Sequence, residues 1–155
     1  MSKGTDLAKQ LFSEIIGMKM TRSKLGYGSF ITMDWGKDKV EEFKTKHGIE
    51  KQIFGEWHLW IYMCAWRLEK NGEPVIGSGD EKKAIESKIP LLIGKKLIQA
   101  QVINDSFDVF FDFEEGYRLL LFSFEIEDSE QWLFFTQNEK VFTAGPGIKW
   151  KYNDS

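Results

Sequence analysis

A chain of 155 residues and 18.1 kDa is long enough for one domain built on a single sizeable core. Aromatic content of 15%, with thirteen Phe and six Trp, supplies much of the burial, and three Pro with scattered Gly exclude a fibrous or low-complexity chain. A formal net charge of −3 gives no global pull toward nucleic acid or an anionic membrane.

The single cysteine, Cys64, cannot form an internal disulfide and points to a reducing compartment. Met-Ser-Lys-Gly-Thr-Asp at the start has no apolar signal core behind it, and no apolar run reaches the length of a membrane span. A cytoplasmic protein of bacterial style, binding neither nucleic acid nor membrane, is expected.

In chain order, Thr5 reads as the N-cap of a first helix with Asp6 in its first turn. Leu7, Leu11, Phe12, Ile15 and Ile16 recur at helical spacing, and Gly17 closes the segment. Met18 to Lys24 and Ser29 to Trp35 flank Leu25-Gly26-Tyr27-Gly28 as a hairpin. Gly36 to Gly48 is mostly charged, with only Val40 and Phe43 offering an apolar side, and reads as a solvated loop or short surface helix.

The stretch Trp57 to Leu68 is apolar at both phases of period two. Trp57, Leu59, Ile61, Met63 and Ala65 form one set; His58, Trp60, Tyr62, Cys64, Trp66 and Leu68 form the other. A strand from about 53 to 69, central in a sheet and covered on both sides, is expected. A buried helix would also be apolar all round, but the flanking Gly55 and Asn71-Gly72 and the aromatic weighting favour a strand.

Lys70-Asn71-Gly72-Glu73 carries a type I′ hairpin signal, with Pro74-Val75-Ile76-Gly77 pairing back. Asp80 reads as an N-cap for a short helix to Lys88, striped by Ala84, Ile85 and Ile89 and ended by Pro90. Ile98, Ala100 and Val102 share one face of the next strand. Phe107, Val109, Phe111 and Phe113 alternate with polar and aromatic positions, and Tyr117 to Phe124 returns after Glu114-Glu115-Gly116. Glu125 to Glu130 is an acidic loop; Gln131 to Thr136 and Val141 to Ala144 form a hairpin. An edge segment follows Gly145-Pro146-Gly147. Short connections imply antiparallel neighbours. The predicted architecture is a single α+β domain: a curved, mostly antiparallel sheet of about eight strands, open or a partly closed barrel, with an N-terminal helix and a second short helix.

No constellation with catalytic spacing emerges. His47, His58 and Cys64 lack metal-ligand spacing; on one straight strand His58 and Cys64 lie about 20 Å apart. Neither a metal nor a cofactor is expected. Cys64 sits between Met63 and Ala65 and reads as a buried, inert thiol. Gly77-Ser78-Gly79 lacks the five-residue elbow pattern of a nucleophilic serine. Gly26-Tyr27-Gly28 is not followed by the Lys and Ser or Thr of a phosphate loop. Asp108 and Asp112 share one face of an alternating strand and read as its outward polar side.

Two features point toward binding. Asp105, Asp108, Asp112, Glu114, Glu115, Glu125, Glu127, Asp128 and Glu130 fall in one stretch against Arg118 alone, so an acidic surface would steer a basic partner inward. The candidate contact residues are Asp108, Asp112, Glu125, Glu127, Asp128 and Glu130. Secondly, His58, Trp60, Tyr62 and Trp66 share one face of the expected strand: either core, or the lining of a pocket or contact surface.

Trp57-His58-Leu59-Trp60-Ile61 through Cys64-Ala65-Trp66-Arg67-Leu68 can be taken with Leu92-Ile93-Gly94-Lys95-Lys96-Leu97, Phe111-Asp112-Phe113-Glu114-Glu115-Gly116, Glu130-Gln131-Trp132 and Gly145-Pro146-Gly147. Together they make the chain from Trp57 onward resemble small, uncharacterised bacterial proteins, some of the immunity type that accompany secreted toxins. The resemblance transfers no catalytic residue and implies a binding protein rather than an enzyme. The leading expectation is a non-catalytic, immunity-type inhibitor that occludes a basic protein partner, the toxin. The alternatives are a small-ligand pocket or active site at His58, Trp60, Tyr62 and Trp66, and a homodimer burying that same face.

Overall fold

Residues 2–155 are described by a computed structural model. Helix α1 (Lys3–Ser13) leads to β1 (Met20–Leu25), β2 (Ile31–Thr45), β3 (Gly48–Ile61), β4 (Ala65–Lys70) and β5 (Glu73–Gly77). Helix α2 (Lys82–Lys88) and a 3-10 turn (Ile89–Leu92) precede β6 (Leu97–Val102), β7 (Val109–Phe113), β8 (Tyr117–Phe122), β9 (Trp132–Phe135), β10 (Lys140–Ala144) and β11 (Trp150–Asp154). The fold is α+β. Its strands form two antiparallel sheets, ordered β1-β2-β3-β9-β10-β11 and β5-β4-β8-β7-β6, and neither closes into a barrel.

The inner faces of both sheets contribute to one continuous core, as the alternation of their strands requires. In β7 and β8 the buried residues are Val109, Phe111, Phe113, Tyr117, Leu119 and Leu121, every second position. Helix α1 enters this core by a stripe of Thr5, Ala8, Leu11 and Phe12. Phe12 touches both sheets, meeting Phe111 edge-on at 5.1 Å between ring centroids and tilting against Trp132 at 5.2 Å and Phe134 at 4.9 Å. Thr5 is not the cap: the helix starts earlier, because the Ser2 hydroxyl accepts the Thr5 backbone N–H at 3.3 Å and Thr5 itself is buried.

The Trp57–Leu68 stretch is extended but is not one strand. It breaks at Tyr62–Cys64, and its halves enter different sheets, β3 as an inner strand of the first and β4 of the second. Leu59 and Ile61 point into the core from β3, whereas Trp66 and Leu68 do so from β4. The inward parity therefore changes from odd to even across the break. That change makes both phases look apolar and mimics a strand covered on two sides. On the other face of β3, Trp60 is only half-buried.

The charged segment after Gly36 is neither loop nor helix. The ladder between β2 and β3 continues from Asp38↔Gly55 out to Thr45↔Gly48, forming a two-stranded arm with water on both faces. Val40 lies opposite Ile53, and Glu42 pairs with Lys51 at 3.8 Å. The arm reads as solvated because it is; its strand character comes from cross-strand pairing that charge counting does not register. A bulge between Trp35 and Asp38 marks its root.

Smaller elements follow their local chemistry. Asn71 and Gly72 adopt φ of 51° and 82°, as the I′ turn between β4 and β5 demands. Asp80 caps no helix; its carboxylate accepts the Gly77 N–H at 2.8 Å and closes the turn. Pro90 sits within the 3-10 turn after α2 has stopped at Lys88. A register shift between Leu97 and Gln99 turns Ile98 out to solvent, so it does not share the buried face of Val102. No helix of the described residues is long and apolar enough to cross a membrane.

Candidate functional site

An acidic residue inside the alternating run Ile31-Thr32-Met33-Asp34-Trp35 marks a buried polar cluster. Asp34 on β2 lies directly opposite His58 on β3 and has no solvent exposure. Its Oδ1 lies 2.6 Å from His58 Nδ1 and accepts the Gly55 N–H at 2.9 Å, while Oδ2 accepts Arg22 Nη1–H at 3.1 Å. Arg22 also donates through Nη2 to Asp38 at 2.9 Å. A carboxylate can only accept, so Nδ1 carries the proton in the pair with Asp34. Burial works to raise the Asp34 pKa, but the His58 hydrogen bond and charge, with the Gly55 and Arg22 bonds, outweigh it and hold the carboxyl below its usual value.

Gly55 is required here. A Cβ at that position would lie 2.6 Å from the Trp35 carbonyl oxygen and 2.9 Å from Asp34 Cβ. The His58 ring packs against Phe54 at 5.0 Å and Phe135 at 5.7 Å, and among the described residues it bonds no hydroxyl or thiol. The cluster thus clamps β1, β2 and β3 together at the root of the arm and positions no nucleophile.

The four residues of the expected pocket do not line one cavity. Trp60 and Tyr62 touch at 4.9 Å, and Phe30 extends the group against Tyr62 at 4.8 Å. Trp66 is buried in the other sheet, where its indole N–H donates to the Ser29 carbonyl at 2.8 Å. It borders an open groove of about 350 Å³ with Arg67, Pro74, Val75, Ser78 and Phe122. The Ser78 hydroxyl accepts the Trp66 backbone N–H at 3.1 Å, so this serine serves the turn.

The acidic candidates separate into two groups. Asp108 and Asp112 are engaged by the fold. Asp108 accepts the Ser123 N–H at 2.7 Å and the Asn104 amide at 3.0 Å. Asp112 takes a forked pair of bonds from Arg118, 2.6 and 3.0 Å, and one from Gln99 at 2.7 Å. Burial raises the Asp112 pKa, yet these donors outweigh it and lower the value overall. Both carboxylates therefore have strong internal partners.

The loop after β8 is different. Glu127 and Asp128 are exposed, Glu125 and Glu130 half-buried. Its end is pinned to the break between β3 and β4: Tyr62 N–H donates to the Gln131 carbonyl at 2.9 Å and Met63 N–H to that of Glu130 at 3.2 Å. The acidic loop and the Phe30–Tyr62–Trp60 aromatics are thereby neighbours. Phe124, Ile126 and Ile148 add apolar surface, being 60%, 77% and 71% exposed. A Cβ on Gly147 would lie 3.1 Å from the Ile126 carbonyl, which places the Gly145–Ile148 turn against the loop. Phe30 and Ile148 carry no sequence signal of their own. The alternation Phe124-Glu125-Ile126-Glu127 does, as an apolar–acidic strip without basic residues.

Cys64 is buried, and burial, reinforced by the Asp108 charge, pushes its thiol up to about 12. At pH 8 native protein is expected to leave a thiol-reactive disulfide reagent unreacted over a time in which urea-unfolded protein reacts fully. Stoichiometric reaction of the folded protein at the unfolded rate would show the thiol to be accessible. Comparison with protein-family models, with curated proteins and with solved structures finds no match to this chain.

Proposed function

We propose that this chain is a non-catalytic bacterial binding protein of the immunity type, which occludes a basic protein partner, a toxin, through the surface formed by the Glu125–Glu130 loop and the adjoining aromatics. The observation that carries this reading is the pinning of the acidic loop to Tyr62 and Met63. It brings the exposed carboxylates of Glu127 and Asp128 near the half-buried aromatics Trp60 and Tyr62, a pairing of steering rim and apolar anchor that protein recognition uses. Asp108 and Asp112 do not belong to this surface, since their oxygens are held by Ser123, Asn104, Arg118 and Gln99. A pocket at His58 is disfavoured by the Asp34 clamp and by the burial of Trp66.

The test is purification of the full chain from its native host at low salt. A basic protein is expected to co-purify and to dissociate as ionic strength rises. Reversing two exposed charges together, Glu127→Lys with Asp128→Lys, is expected to weaken that association about tenfold or more. Retention of the partner at wild-type strength by this double variant would overturn the reading.

A further inference from the structure

The arm leaves its sheet with two bare edges. β1 covers β2 only from Ile31 to Trp35, and β9 covers β3 only from His58 to Ile61. Along Asp38 to Thr45 on one side and Gly48 to Gly55 on the other, no third strand lies beside the arm among the described residues. Two strands by themselves are marginal in water, and an unpaired edge is a template for another strand. Val40, Phe43, Ile49 and Ile53 stand exposed on the arm.

Charge ordinarily blunts such an edge, and the β2 edge carries Asp38, Lys39, Glu41, Glu42 and Lys44. The order of those charges decides what it repels. Two copies of one edge related by a dyad pair antiparallel. Opposed residues share a face and adjacent residues do not, so the dyad falls on a residue. Dyads on Asp38, Lys39, Glu41, Glu42 or Lys44 set a charge against itself. One on Val40 sets Asp38 against Glu42, and one on Thr45 sets Lys44 against Lys46. With the dyad on Phe43, Glu42 lies opposite Lys44 of the second copy, Lys44 lies opposite its Glu42, and the two Phe43 rings meet.

The β3 edge offers nothing comparable. Its charges, Glu50 and Lys51, are adjacent and therefore on opposite faces, so no dyad opposes them. On the β2 edge the Phe43 register also extends rows already begun. Glu42 pairs with Lys51 at 3.8 Å across the arm and gains a second lysine on its outer side. Lys44 stands opposite Ile49 and gains a carboxylate.

We propose that two copies of this chain join their β2 edges antiparallel about Phe43, making one four-stranded sheet of the two arms. The pairing uses neither the Glu125–Glu130 loop nor its aromatics, and is independent of the function proposed above.

Sedimentation equilibrium of the full chain is expected to show a dimer whose population rises through the micromolar range, as a small, polar interface gives. Glu42→Lys alone and Lys44→Glu alone each oppose like charges twice over and are expected to weaken it about tenfold or more. Mixed in equal amounts, the two variants oppose unlike charges at both positions again and are expected to form a heterodimer at close to wild-type strength. Recovery on mixing separates loss of the contact from damage to the arm, since neither chain has been repaired.

Cross-linking reads the register. Cα atoms opposed at the dyad lie within disulfide reach, whereas those of the two Glu41 residues lie about 14 Å apart. Under mild oxidation Phe43→Cys is expected to give a disulfide-linked dimer and Glu41→Cys to remain monomeric on a denaturing gel; Cys64, being buried, takes no part. A chain monomeric at every concentration up to about 1 mM would overturn the proposal. So would a dimer indifferent to both charge variants, a failure to recover on mixing, or equal cross-linking at the two positions.

Discussion

Replacing Asp34 with alanine is expected to destabilise the fold by about 3–5 kcal/mol, the range for removing one member of a buried ion pair. The carboxylate is fully buried and serves three donors on two strands, Arg22 of β1 and both Gly55 and His58 of β3. Truncation orphans the Gly55 N–H and the His58 Nδ1–H together and frees Arg22 to pair only with Asp38. Asparagine keeps the shape but not the charge and should fall between alanine and wild type.

The pH dependence has a definite sign. The folded-state pKa of Asp34 lies below its ordinary value, so its contribution is fully present above the unfolded-state pKa, about 4. It is lost as pH falls through the still lower folded-state value. The gap between wild type and Asp34→Asn in urea unfolding should therefore be wide at pH 7 and narrow progressively below about pH 4. A gap under about 1 kcal/mol for Asp34→Ala at pH 7 would mean that the cluster does not hold the strands together.

Truncating Phe12 to alanine is expected to cost about 3–5 kcal/mol, as large-to-small changes of buried aromatics do. Phe12 is 1% exposed and is the helical side chain that meets rings from both sheets, Phe111 on one side and Trp132 and Phe134 on the other. Those three rings belong to rigid strands and cannot all collapse into the space it leaves, so the cavity persists and adds to the lost transfer energy. Leu7→Ala, at a half-buried position of the same helix, should cost clearly less. Both are read from urea midpoints, with an unchanged slope confirming that the unfolding transition still exposes the same surface. Equal effects at the two positions would show that α1 is held by its general apolar face rather than by the Phe12 contact.

Much of the fold is written in short-range pattern. The α1 stripe, the Asn71-Gly72 turn, the inward set Phe107, Val109, Phe111 and Phe113, and the hairpin of β9 and β10 all follow from periodicity and turn chemistry. In each case the signal lies within a few residues of the element it specifies. The acidic loop was equally plain as a run of carboxylates after an apolar strand.

The candidate surface was legible only in pieces. Sequence grouped Asp108 and Asp112 with Glu127 and Asp128, since all are acidic and near one another along the chain. Their different fates depend on donors that arrive from elsewhere: Arg118 from β8 for Asp112, Asn104 and the Ser123 backbone for Asp108. Likewise His58, Trp60, Tyr62 and Trp66 share one phase of period two, yet the break at Tyr62–Cys64 sends Trp66 into the second sheet. Asp34, Gln131 and Ile148 matter through what lies beside them in space.

What the amino-acid sequence alone determined is therefore the class of the fold, the turns, and which residues are apolar or acidic, because these depend on composition and on neighbours along the chain. Tertiary structure decided the rest. It set where the long apolar stretch changes sheets, sent the charged segment out as a paired arm, and selected which carboxylates meet donors and which stay exposed. Those outcomes rest on pairings between residues distant in sequence, whose geometry no local period encodes.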